Sequence, residues 1–163
     1  MNAQVWIAIL VGLAAAIDDL ARRHIANWIP AAALAGGFGW QIGQGGWPGA
    51  LTALGGTMAG FAVFLVFYLL GGMGGGDVKL MAGFGALLGA GRLLEAALWT
   101  AGVGGILAIG VIAWRALRRW PGHEGLPEGG GKAVDTAARA REASIPYAPA
   151  IALGVWLSLL ARS

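Results

Sequence analysis

Two short acidic motifs hold the side chains in this sequence that are best suited to chemistry. One is the pair Asp18-Asp19, at the end of the first apolar stretch. The other is Asp77, which closes the run Gly74-Gly75-Gly76 and precedes Val78-Lys79. Residues 25–76 contain no Asp, Glu, Lys, Arg or His. A carboxylate beside so much uncharged sequence is costly in or near a bilayer and marks a functional site by default. Two carboxylates that share one proton can turn water against a peptide carbonyl. The ionised one takes a proton from water; the protonated one donates to the carbonyl oxygen. Mutual repulsion in a low dielectric separates the two roles.

The glycines before Asp77 fit a peptide substrate. Glycine tolerates positive φ and close approach of another backbone, and unpaired N–H groups at Gly74, Gly75 and Gly76 would suit an extended strand. Taken alone, the same residues also read as a flexible turn with Asp77 as a helix N-cap. Other chemistries are poorly served. His24 and His123 lack ligand-like spacing, and there is no cysteine, so neither a metal nor another cofactor is expected.

These acids need elements to hold them, and the composition says which. The chain has 163 residues, 58% hydrophobic and 12% charged, and reads as one domain. A soluble domain of that size needs more polar surface than this. An all-α bundle of six transmembrane helices is expected, at roughly 3–20, 27–42, 50–70, 78–89, on to 114, and 145–160. A Gly/Gln/Pro break is expected at 43–49, and Arg92 and Glu95 mark the turn into the fifth segment. The long polar stretch 115–144 reads as a cytoplasmic connector, with a short surface helix at 132–142. The first segment resembles a signal peptide in length, but nothing basic precedes it, so a retained helix is expected.

Charge orients the bundle. Arg22, Arg23, Lys79, Arg115, Arg118, Arg119, Lys132, Arg139 and Arg141 fall in the first, third and fifth connections; Arg92 and Arg162 fall on the other side. The positive-inside rule puts those three connections in the cytoplasm and both termini outside. Both acidic motifs then share the cytoplasmic face. The net charge of +3 is spread over loops and is no nucleic-acid footprint. Trp28, Trp40, Trp47, Trp114 and Trp120 suit the headgroup level. Gly56/Gly60, Gly85/Gly89 and Ala101/Gly105 are small-residue spacings that let helices approach, without naming which helices meet. Lys79, two residues from Asp77, is badly spaced to pair with it on a helix and reads as an interfacial cation.

Asp19-Leu20-Ala21-Arg22-Arg23-His24-Ile25-Ala26-Asn27 resembles the first aspartate motif of the type IV prepilin peptidases. Gly74-Gly75-Gly76-Asp77-Val78-Lys79-Leu80-Met81-Ala82 resembles their second, G-x-G-D followed by Val-Lys-Leu. Ile145-Pro146-Tyr147-Ala148-Pro149-Ala150 is similar to the start of their last helix. The order and spacing hold over nearly the whole chain, and the length resembles the short members that serve tight-adherence (Flp) pili. The resemblance implies a polytopic aspartic endopeptidase of the bacterial inner membrane. It would cut the basic leader from a prepilin at the cytoplasmic face, just before the pilin's apolar helix. It also implies Asp19 and Asp77 as the catalytic pair, with Asp18 a neighbour and with Asn27 and Lys79 in support.

Two departures bear on this. Ala26 stands where the family usually has proline, so the loop after the first helix loses a stiffening element. The cysteine-bearing domain of longer relatives has no counterpart here, so N-methylation of the trimmed pilin is not expected. Competing readings are a G-x-G-D protease that cuts another substrate within a helix, a small ion-coupled transporter, and a non-catalytic scaffold docking through 115–144. Acids at helix ends and the lack of an internal repeat weigh against the transporter. The sequence leaves the particular prepilin and the oligomeric state open.

Overall fold

The computed structural model describes residues 3–70, 73–118 and 147–161. Four helices account for nearly all of them: α1 (Ala3–Arg22), α2 (Trp28–Leu69), α3 (Gly75–Arg118) and α4 (Ala148–Leu160). The 132–142 helix and the Ile145-Pro146 start of the last segment lie outside the described residues. Three of the helices have stretches long and apolar enough to cross a membrane, Ala3–Arg22, Trp28–Leu69 and Gly75–Val111; α4 is shorter.

Helix α1 shows the solvent for which the molecule is built. Its buried residues are Gln4, Ala8, Gly12, Ala15 and Asp19, a stripe of small and polar side chains at helical spacing. Its large apolar residues Trp6, Leu10, Leu13, Ile17 and Leu20 are exposed. Water would favour the reverse arrangement. In lipid, large apolar side chains lose nothing by facing outward, and small ones inside let helices approach closely. This is a membrane protein.

Helix α2 has 42 residues and would be roughly 63 Å long if straight, about twice the apolar thickness of a bilayer. It does not run straight. Gly46 has φ 57 and ψ −132, which glycine adopts without the penalty of a side chain. Beyond it, Gly49 meets the backbone of Gln41 so closely that a Cβ has no room. Along a straight helix these residues would be about 12 Å apart, so the chain doubles back at Gly46. The break expected across 43–49 is thus reduced to one non-helical residue, because glycine completes the reversal without a loop. Helix α3 turns at Gly89 (φ 74, ψ 163). Met81 meets Gly60, while Ala97 and Ala101 share a groove with Phe64 and Phe67 of the same stretch of α2. Arg92 and Glu95 already belong to the helical stretch after the turn.

Contacts give the directions. Gly37 meets Leu87 and Pro30 meets Gly83, so the first half of α2 runs parallel to the first half of α3. Gly56 meets Gly85 and Gly60 meets Met81, so the second half of α2 runs antiparallel to it. The Gly56–Gly85 approach is reciprocal: a Cβ on either would collide with the other's carbonyl. The spacings at 56/60 and 85/89 therefore belong to one interface. Among the described residues the third spacing packs no helix: Gly105 has nothing within 4 Å of its Cβ position, and it lines an open groove with Ala101.

At the end where α2 and α3 reverse, the turn at Gly89 interrupts the helical bonding of the Leu87 carbonyl. Gln4 Nε2 donates to that oxygen at 2.8 Å and Gln41 Nε2 at 3.2 Å. Arg92 Nη1 in turn donates to Gln4 Oε1 at 3.4 Å. A freed carbonyl in an apolar interior needs such donors. Helix α4 runs antiparallel to α1: Trp156 Nε1 donates to the Ala8 carbonyl at 3.0 Å, and the start of α4 lies against Asp19. The acids and the helix turns at 23–27 and 73–74 thus gather at the opposite end from Gly46 and Gly89.

Candidate active site

Asp18 and Asp19 end α1 but face different surroundings, because neighbours on a helix point about 100° apart. Asp19 faces the bundle and is 9% exposed. Its Oδ2 accepts a hydrogen bond at 3.1 Å from the amide of Ala148, the first residue of α4. The first amides of a helix have no partner within it, and a carboxylate suits them by hydrogen bonding and by charge. Asp18 faces the connection to α2. Its Oδ2 accepts from the Ala26 amide at 2.8 Å, and its Oδ1 lies 3.5 Å from Arg22 Nε. Of the pair, Asp19 is the inward acid.

Asp77 lies in the first turn of α3. Its Oδ2 accepts from the Gly74 amide at 3.2 Å, while its own amide donates to the Gly74 carbonyl at 3.1 Å. This is the reciprocal logic of a capping box, with the acid reaching back to the residue before the helix. Asp77 is 7% exposed. Among the described residues, its Oδ1 is the buried side-chain polar atom left without a hydrogen-bond partner. Such an atom is expensive to bury. Both acids are buried at the same end of the bundle: Asp19 lies against the start of α4, and Asp77 follows Gly76, over which Ile25 of the turn after α1 packs.

The glycine run is used differently from the expectation. Gly75 and Gly76 are already helical, and the positive φ values of the described glycines lie at Gly46 and Gly89 instead. The Gly74 amide is engaged by Asp77. What the run provides here is close packing: a Cβ on Gly76 would lie 3.2 Å from Ile25 Cβ, and one on Gly74 would lie 3.3 Å from Asp77 Oδ2. Lys79 takes a partner that helical spacing does not reveal. Its Nζ donates to Asn27 Oδ1 at 3.0 Å, linking α3 to the residue before α2.

Beside the acids lies an apolar groove of about 580 Å³, bounded by Phe64, Phe67, Ala97, Ala101, Gly104 and Tyr147 among others. Tyr147 immediately precedes Ala148, so the groove begins one residue from the amide that holds Asp19.

A family model described as the type IV leader peptidase family matches residues 6–109. The chain belongs to that family. No curated protein and no solved structure matches it. As a member of the type IV leader peptidase family the chain is a peptidase, and the matched span carries both acidic motifs and the Gly46 and Gly89 turns. It stops short of α4. The Ala148 amide therefore adds to the candidate site a contact from outside that span. Sequence reasoning marked the start of this last helix by its prolines but gave it no role. A backbone amide is the same in every residue but proline, so no side-chain type could have signalled it. The Asp18–Ala26 bond was missed for a related reason, although an acid followed by a short polar connection is a usable hint of a side chain tying down a turn.

Proposed function

We propose that this member of the type IV leader peptidase family is an aspartic endopeptidase that removes the basic leader of a prepilin. Asp19 and Asp77 would activate a water between them. The observation that carries the reading is the buried Asp77 Oδ1, unpartnered among the described residues, at the end of the bundle that also buries Asp19. Structural acids are satisfied by their partners; an acid kept unsatisfied beside another is suited to bind a reactant.

In this reading one aspartate, ionised, takes a proton from water as its oxygen attacks the scissile carbonyl. The other, protonated, donates to the carbonyl oxygen. Collapse of the tetrahedral intermediate breaks the C–N bond, and the amine leaves with the proton taken from water. The scissile segment approaches Asp77 past Gly74, whose lack of a side chain leaves the Asp77 carboxylate uncovered on that side. The prepilin's apolar helix lies along the groove beside Tyr147, and the basic leader stays among the polar connections. The bundle crosses the inner membrane six times with both termini outside, which puts the acids at the cytoplasmic face.

The test is co-expression with a prepilin, with cleavage mapped by mass spectrometry. Removal of the leader before the apolar helix supports the reading. Cleavage inside the helix moves the chain to the intramembrane-protease alternative. Full cleavage by Asp77→Asn would defeat the mechanism.

A further inference from the structure

We propose that Asp18 is a positioning residue for Asp19 and Asp77, acting by clamping the turn between α1 and α2. The inference rests on the reading of those two acids as the catalytic pair. The turn starts with a strained residue: Arg23 has φ 50, a left-handed conformation that L-residues other than Gly, Asn and Asp seldom adopt. Its amide donates to the Asp19 carbonyl at 2.8 Å, which ties it to α1; the far side of the turn has a tie of its own. Asp18 Oδ2 accepts from the Ala26 amide at 2.8 Å, closing the turn onto the last turn of α1. The Asp18–Arg22 pair contributes less, since the Arg22 side chain is 77% exposed and exposed ion pairs are weak. The acceptor oxygen, rather than the charge, is the working part of Asp18.

The clamped turn reaches α3 on both sides of Asp77. Ile25, 4% exposed, packs over Gly76 at a distance that leaves no slack for a side chain there. Asn27 Oδ1 accepts from Lys79 Nζ at 3.0 Å. Asp18 itself adjoins Asp19. The turn is therefore a strap between the two acid-bearing helix ends, and Asp18 is its fastening on the α1 side. With the fastening lost, α1 and the start of α3 keep their helices but lose their fixed separation at the acids.

The experiment measures leader removal from a co-expressed prepilin, together with hydrogen exchange of the 24–27 backbone and the amount of enzyme in the membrane. Asp18→Ala and the near-isosteric Asp18→Leu both remove the acceptor. They are expected to slow cleavage about tenfold or more through kcat, as misplaced catalytic groups do, and to speed exchange in the turn. Asp18→Asn keeps an acceptor oxygen and is expected to cleave near the parent rate with slow exchange. Proline at 26 removes the donor but fixes φ by its ring. Asp18→Ala combined with Ala26→Pro is therefore expected to regain most of the lost rate. Parent-like cleavage and exchange in Asp18→Ala and Asp18→Leu would overturn the proposal. So would an Asp18→Asn enzyme as slow as Asp18→Ala, or a double variant with no recovery. A parent enzyme that leaves the prepilin whole counts against the peptidase reading instead, while the exchange measurement still decides whether Asp18 holds the turn.

Discussion

The amide of Ala148 donates to Asp19 Oδ2 at 3.1 Å across 129 positions of sequence. The contact fixes one oxygen of the inward acid at the start of α4, where helix-end amides favour negative charge. Asp77 is held in the same style by the Gly74 amide at 3.2 Å. Each acid thus has one oxygen anchored by backbone, and on Asp77 the other is buried without a partner among the described residues.

Asn at either position keeps an oxygen able to accept the anchoring amide, but it cannot carry or exchange the proton. Asp19→Asn and Asp77→Asn are expected to leave the protein folded and to slow leader removal by about a hundredfold or more, the scale of a lost general acid or base. A cleavage time course with purified enzyme in detergent, beside a thermal melt, checks both halves of this expectation.

Gly55 and Gly56 are neighbours with opposite surroundings. A Cβ on Gly55 meets nothing within 4 Å, whereas one on Gly56 collides with the Gly85 carbonyl. Gly56→Ala is expected to destabilise by about 1–3 kcal/mol, the usual range for overpacking, and Gly55→Ala to be neutral or slightly stabilising. Reversible unfolding in mixed detergent distinguishes them; equal effects would mean that these helix halves do not meet there.

The two reversal glycines are expected to differ in tolerance. Gly46→Ala meets open space and suffers only the penalty of a glycine-type backbone conformation, about 1–3 kcal/mol. Gly89→Ala adds to that strain a Cβ only 2.8 Å from Thr52 Cγ2. The ranking, Gly89→Ala worse than Gly46→Ala, is read from the same unfolding assay.

Ala101 lines the apolar groove and is exposed. Ala101→Trp is expected to fill part of that space, weaken binding of an apolar helix and raise KM several-fold. A hot-spot contact in an apolar groove is worth about 2 kcal/mol or more, so this change is measurable. An unchanged KM would place the substrate helix elsewhere on the bundle.

Much of this molecule was legible before any fold was known. Apolar length and scarce charge identified a helical membrane protein because lipid leaves so few solutions to backbone hydrogen bonding. The motif around Asp77 pointed to the family that the match over residues 6–109 then showed. Local rules failed where two distant pieces of chain meet. Spacing on one helix left Lys79 without a partner, and the partner is Asn27 on another element. The triple glycine invited a reading of backbone freedom, whereas the freedom is used at Gly46 and Gly89.

The sequence by itself determined that the chain is apolar helix throughout its main segments and that its scarce acids stand at segment ends, because hydropathy and charge placement are local properties. Only the tertiary structure decided that Asp19 faces inward and Asp18 toward the turn, that Gly56 packs on Gly85, and that the start of α4 holds the first acid. Those outcomes depend on which surfaces fit when the helices double back, and fit between surfaces is not written in either surface alone.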